Sequence, residues 1–310
     1  MRKELITKLE FNKLYKKPAF FIGWYNKFSH ADNYTCVVIA GFVKSKGENA
    51  IGFVQFFDNV NIKSKKQVYD FNDCSVNLTK QKIKIGLNVI SLKSIKLELD
   101  NVELSLMISK HQPYIYKGLG KNILGPLHYI PFVECKHSIL NIKSRFTGKI
   151  FIEGKTNNLT GECYQEKDWG TSFPQEYFWI QANKFNNKDI TFQFAYAKPK
   201  WLLFKPTTYI GFLMIDNRKI NLNGIGNTKI KIDKLNAHII RLSLTHRKYI
   251  IKIRLKSGPT TELKGPLNGE MKKVIKESLS SKLTIKVYDR NPPFKVHEYN
   301  SLEASSEIYL

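Results

Sequence analysis

Over most of this chain, apolar side chains return at every second residue. Ile95, Leu97 and Leu99, and then Val102, Leu104, Leu106 and Ile108, alternate with polar positions. Successive strand side chains point to opposite faces, so such a pattern gives a sheet one apolar and one wetted face. Similar alternation covers 82–90, 138–152, 190–197, 237–244, 249–255 and 283–288, separated by turn-rich segments such as Asn221–Asn227. Strands of this kind suit antiparallel barrels or sandwiches rather than a parallel α/β sheet, whose strands are apolar on both faces. The expectation is an all-β protein. One stretch departs from it: Met271, Val274, Ile275 and Leu279 are spaced for one face of a helix, which predicts a short C-terminal helix over Asn268–Leu279.

The 310 residues are 42% hydrophobic and 13% aromatic, enough apolar surface to offset the entropy of ordering the chain and to exclude disorder as its main state. That length suggests two domains or one large one. No Pro/Gly/Ser linker divides them, and a boundary near Ser144–Gly148 gives a first domain over 1–145 and a second over 146–310. Cys36, Cys74, Cys135 and Cys163 lie far apart without a CxxC pair, which argues against a zinc ribbon or a disulfide scaffold and for a reducing, cytoplasmic compartment. The basic start of the chain lacks the apolar core of a signal peptide. The longest run free of polar side chains, Cys36–Val43, falls far short of the roughly 20 residues that a spanning helix needs. A soluble protein, or one peripheral on the inner face of a membrane, is expected.

Charge narrows the partners. Basic residues exceed acidic ones by 24, and of the 50 basic residues 43 are lysine and seven arginine. Specific nucleic-acid readers favour arginine, whose planar fork pairs bidentately with bases and phosphates. Without a helix-turn-helix, zinc finger or aromatic-basic RNA motif, no nucleic-acid partner is expected. A net charge of this size does favour attraction to anionic lipid headgroups.

The segment Glu162–Gln181, ECYQEKDWGTSFPQEYFWIQ, inverts the charge of the chain. It holds Glu162, Glu166, Asp168 and Glu176 against one base, Lys167, together with two of the four tryptophans, Trp169 and Trp179. Acids beside large aromatic faces make a setting in which a carboxyl pKa can rise and a cation can be stabilised; a strand and turn with a packed indole reads equally well on spacing alone. Glu134 and His137 form a second polar pair in the apolar block PFVECKH, although residues three apart do not share a strand face without a bulge. A structural, hydrogen-bonded histidine is the commoner case for such a residue. The seven histidines show no HxH or HExxH spacing, so no metal is expected. Gly224-x-Gly226 lacks the helix of a dinucleotide site and no serine sits in a nucleophile elbow, so no cofactor is expected either.

The string Tyr164, Glu166, Lys167, Asp168, Trp169, Gly170, Phe173, Pro174, Trp179 and Gln181 resembles the tocopherol cyclase family. Three further blocks agree: Gly23-Trp24-Tyr25; Gly125-Pro126 through Tyr129-Ile130-Pro131-Phe132 to Glu134 and His137; and Met271 through Ile275, Glu277 and Ser278. Ile22 stands where the family commonly has an acid. The resemblance implies two lipocalin-like β-barrel halves, shared with carotenoid hydratases and AttH-type proteins, the second carrying EKDWG, and a hydrophobic pocket for a prenylated substrate. It also implies a reaction: protonation of a prenyl double bond and capture of the tertiary cation by a phenol oxygen, with no redox cofactor. Asp168 first and Glu166 second are then the expected acids, since they share one face of a strand and can hold one proton between them, with Glu134 and His137 next. Trp24, Tyr25, Tyr164, Trp169, Phe173, Trp179 and Gln181 are the expected substrate contacts, and Lys167 points away. A carotenoid-type hydratase, or a lipocalin-like carrier that binds an isoprenoid unchanged, uses the same pocket.

Overall fold

The computed structural model describes residues 4–8, 12, 16–116, 122–130, 133–186, 189–199, 206–216, 218–224 and 228–310. Pro131, Phe132 and Gly226 of the sequence blocks above lie outside them, as do Ile225 and Asn227 of the turn-rich segment. The described residues form two antiparallel sheets, of 11 and 10 strands, the all-β architecture that the alternation predicts. No helix among them is long and apolar enough to cross a membrane.

The first sheet comprises β1 (Phe20–His30), β2 (Thr35–Lys44), β3 (Ile51–Asp58), β4 (Lys65–Asp70), β5 (Cys74–Asn77), β6 (Lys82–Ile85), β7 (Asn88–Ser91), β8 (Ser94–Leu99), β9 (Val102–Pro113), β10 (Cys135–Ile152) and β11 (Lys155–Gly170). Its spatial order is β4-β3-β2-β1-β11-β10-β9-β8-β7-β6-β5. The first and last strands in sequence are therefore neighbours, with Tyr25 opposite Glu166 and Gly23 opposite Asp168. The sheet curls until its ends meet. A Cβ on Gly52 of β3 would lie 2.7 Å from the Cys74 sulfur of β5, and the Asn88 amide donates to the Tyr69 hydroxyl of β4 at 2.8 Å.

Phe28, Phe42, Phe56, Leu97 and Phe146 fill the interior, joined by Leu5 and Ile6 from the start of the chain. The Trp24 indole donates to the Leu5 carbonyl at 2.9 Å, and the Gln81 side chain exchanges two 3.2 Å hydrogen bonds with the backbone of Ile6. Fully buried backbone groups of an irregular segment need such partners.

The second sheet comprises β12 (Tyr177–Ala182), β13 (Ile190–Ala197), β14 (Thr208–Ile215), β15 (Arg218–Asn221), β16 (Lys229–Leu235), β17 (Ile239–Thr245), β18 (Tyr249–Lys256), β19 (Thr261–Leu267), β20 (Glu270–Asp289) and β21 (Val296–Tyr309). They run in the order β15-β14-β13-β12-β21-β20-β18-β17-β16, with β19 against β20. Phe178, Phe192, Phe194, Leu242, Ile253 and Ile285 belong to its core.

Two expectations need correction. The chain divides into one unit of Met1–Tyr129, Glu134–Phe173 and Lys264–Val274 and another of Ile130–Val133, Pro174–Leu263 and Ile275–Leu310. The boundary expected at 145/146 falls inside β10, and the EKDWG string lies in the first unit. The reason is topological: β1 is completed only by β11, so the first unit must run at least to Gly170.

The helix expected over Asn268–Leu279 is the start of strand β20. Asn268 and Gly269, both with positive φ, form the two-residue connection between β19 and β20, a strong hairpin signal. Polar Lys273 and Glu277 occupy buried positions of that strand while Val274 is 42% exposed, so the apolar pattern alone misreports the period.

Gly170 shows what the close register demands. A Cβ there would lie 1.9 Å from the carbonyl oxygen of Glu134, whereas one on Gly23 would meet nothing nearer than 3.9 Å. Gly170→Ala is expected to lose at least about 2 kcal/mol of stability by forcing backbones apart, and Gly23→Ala much less. Thermal melts followed by circular dichroism check the contrast.

Candidate active site

Neighbouring residues of β11 look to opposite sides of the first sheet. Cys163 belongs to the interior cluster and Trp169 packs against it, and Lys167 holds its ammonium 5.1 Å from the Trp169 ring. The alternate residues Tyr164, Glu166 and Asp168 project from the other face. Strand β1 supplies Tyr25 beside Glu166 and Lys27 beside Tyr164, and β10 supplies His137 beside Asp168 and Ile139 beside Glu166. This is the face away from the barrel interior, yet it is not wet: Tyr164 is fully buried, and Tyr25, Lys27, His137 and Glu166 are all buried. Beside it, Phe21, Phe53, Phe173 and Met271 form a separate apolar cluster, and the Gln55 side chain exchanges hydrogen bonds with the backbone of Lys264.

Four of these side chains make a continuous polar row. His137 Nδ1 lies 2.7 Å from Asp168 Oδ1, His137 Nε2 lies 3.6 Å from Glu166 Oε2, and the Tyr164 hydroxyl donates to Glu166 Oε2 at 2.5 Å. Burial by itself would lower the imidazole pKa, but the Asp168 and Glu166 carboxylates outweigh it and hold His137 at about 9. At neutral pH the ring is an imidazolium between two carboxylates. Burial, with Glu166 beside it, pushes the Tyr164 phenol far above its usual range, so it remains a donor. The row thus stores a proton at His137 in a place largely shut off from water.

His137, Glu166 and Asp168 also offer ligand atoms within 4.8 Å of one another, an arrangement that histidine spacing in the sequence does not reveal. One carboxylate sits at each ring nitrogen, so a cation bound at Nε2 beside Glu166 would leave Asp168 holding the Nδ1–H, an arrangement common at metal sites.

The structure gathers Asp168, Glu166, His137, Tyr164 and Tyr25 into one site and leaves other expected residues elsewhere. Glu134 precedes β10, and its carbonyl accepts from the backbone of Thr171 and Ser172. Trp24 and Trp169 belong to the interior side of the barrel, and Phe173 stacks edge-on against Phe21 with centroids 5.4 Å apart. Trp179 and Gln181 lie on β12 of the second unit, on the face opposite the core residues Phe178 and Ile180, and Gln181 donates to Asn183. Sequence reading missed Lys27, 2% exposed, and the inward amide chain in which Asn141 donates to Gln165 and Gln165 to Asn26. Its signal was present at Asn26, which alternates with the core residues Trp24 and Phe28.

The antiparallel barrel of the first unit is lipocalin-like, and comparison with known proteins agrees on the fold. The chain belongs to the tocopherol cyclase-like family, whose pattern it matches over residues 114–308. Among solved structures it is similar to an AttH-type protein from Nitrosomonas europaea, at 10% identity over 95% of this chain and 94% of that one, with a TM-score of 0.55. It is also similar to kievitone hydratase from Nectria haematococca, at 11% identity over 93% and 88% of the two chains, TM-score 0.56. CghA in complex with Sch210972 aligns at 9% identity over 94% and 89%, TM-score 0.56. These likenesses establish the two-barrel fold. No curated protein matches the sequence.

The raised pKa of His137 has a stability consequence. A group whose folded pKa of about 9 exceeds its ordinary 6.5 contributes fully below pH 6.5, and the contribution is lost as pH rises through 9. The difference in unfolding free energy between wild type and His137→Phe should therefore be largest at and below pH 6.5 and shrink toward pH 9 and beyond. Denaturant titrations at a series of pH values measure it; a difference that grew with pH would contradict the charged assignment.

Proposed function

We propose that this protein is an enzyme that adds an O–H bond across an isoprenoid double bond by proton transfer, closing a ring on a prenylated quinol. The observation that carries the reading is the buried row Asp168–His137–Glu166–Tyr164. A carrier of apolar ligands has little use for it, because burying ionised groups costs several kcal/mol or more unless they are partnered.

In this mechanism Asp168 is the acid: its Oδ1 takes the proton that His137 Nδ1 holds against it and delivers that proton to the less substituted alkene carbon. The π pair forms the new C–H bond, the tertiary carbon becomes cationic, and the phenol oxygen of the same substrate attacks it. Glu166 takes the proton that the phenol oxygen releases and passes it to His137 Nε2, which restores the imidazolium beside the Asp168 carboxylate. Atoms and charge balance without any external reagent. The family match supports ring closure as the outcome. The likeness to a protein named kievitone hydratase supports the same protonation with water as the captor.

The test is anaerobic incubation with reduced prenylated quinones, followed by chromatography and mass analysis. Ring closure keeps the mass and shifts retention; hydration adds one water; neither change favours the carrier. Asp168→Asn keeps the shape of the side chain and removes the transferable proton, so turnover should fall by about 10² to 10⁴ while binding of the apolar substrate persists. Loss of binding and of melting temperature together would assign Asp168 a structural role. Glu166→Gln should slow turnover as well, by removing the base that returns the proton.

A further inference from the structure

We infer that the second unit docks on anionic lipid bilayers through the end of its sheet where the β17–β18 and β20–β21 loops converge. The inference rests on the surface of that unit and is independent of the catalytic reading. The two loops are tied together: the Arg290 backbone donates to the Lys248 carbonyl at 2.9 Å, and its guanidinium reaches the His246 carbonyl at 3.3 Å. The Asp289 amide donates to the Lys295 carbonyl at 2.9 Å and closes the second loop on itself. Among the exposed residues of this fixed tip two are large and apolar: Phe294 is 73% exposed and Val296 58%. A shallow depression of about 320 Å³ opens beside them, with Lys248, Asn291 and Lys295 in its lining.

Register orders what lies behind the tip. On the outer face of the sheet the row nearest it joins Ile250, Tyr288 and Val296. The next row joins Lys231, Ser243, Lys252 and Lys286, and the one after it Arg241, Arg254 and Thr284. Rows on one face are about 7 Å apart, so basic side chains stand within a headgroup's depth of the apolar end. The acids facing this surface are Asp233, paired with Lys231 at 3.5 Å, Glu298, paired with Lys286 at 2.9 Å, and Asp289 beside the loop. Lys252 lies 5.1 Å from the Tyr288 ring and can cover it with its aliphatic stem.

An apolar tip with a basic collar is the form in which a soluble surface meets a charged bilayer: hydrophobic groups enter the headgroup boundary while lysine and arginine stay at its anionic surface. A nucleic-acid backbone would use the basic rows alone and leave the exposed Phe294 and Val296 without a role.

Co-sedimentation with phosphatidylcholine vesicles, with and without phosphatidylglycerol, tests the inference. Wild type should bind the mixed vesicles, weaken with added salt, and ignore phosphatidylcholine alone. Phe294→Ala, in an exposed loop where folding is not at stake, should weaken binding by roughly tenfold. Lys252→Glu with Arg254→Glu and Lys286→Glu should weaken it by at least about tenfold. The matched reversal Lys82→Glu with Lys84→Glu and Lys149→Glu, on exposed lysines of the first unit, should leave it essentially unchanged. Equal losses in both triple variants would assign binding to net charge and overturn the inference. So would absence of vesicle binding, or binding to a short RNA oligonucleotide in its place.

Discussion

The antiparallel ladder between β1 and β11 is the constraint on which the first unit depends. It joins the two ends of a strand sequence and completes a barrel whose core draws on both. The same ladder sets the site, because a strand shows alternate residues to alternate faces and a slip of one residue would exchange them all. In the observed register Trp24 and Lys167 are neighbours on one side, and Tyr25 and Glu166 on the other. The glycine that ends the EKDWG string follows from it. Gly170 stands where β1, β10 and β11 meet, at the point where the chain before β10 presses its Glu134 carbonyl against the sheet.

A buried ion group survives only if its partners replace the water it loses. The row from Asp168 to Tyr164 meets that condition by sharing: one imidazolium serves two carboxylates, and a phenol that cannot ionise donates to one of them. The charge inversion of residues 162–181 is thereby explained in part, since Glu166 and Asp168 belong to this row. The other acids make ordinary ion pairs: Glu162 pairs with Lys143 at 2.8 Å and Glu176 with Lys198 at 2.6 Å. A cluster in sequence was thus two populations in space.

The excess of lysine shows the opposite relation. Along the chain the basic residues look scattered, with no run or motif. Antiparallel pairing places side chains from distant positions side by side, and on the second sheet it assembles Lys231, Lys252 and Lys286 into one row. Alternation with Leu242, Ile253 and Ile285 on the buried face is the reason these cations all emerge on one side.

What the sequence determined by itself was whatever depends on neighbours along the chain. Period-two alternation is local, so the all-β class was legible, and Glu166 and Asp168 could be put on one face with Lys167 on the other before any fold was known. The family resemblance was legible for the same reason, since its longest string is continuous. Tertiary structure decided what depends on pairing at a distance. His137 and Glu134 looked alike as polar residues three apart, and only the β10–β11 register brings the first to Asp168 and leaves the second in a turn. Met271, Val274, Ile275 and Leu279 matched a helix because the inward places between them hold Lys273 and Glu277. Polar side chains can occupy buried positions when tertiary partners satisfy them, and then hydrophobicity along the chain no longer reports which way a residue points.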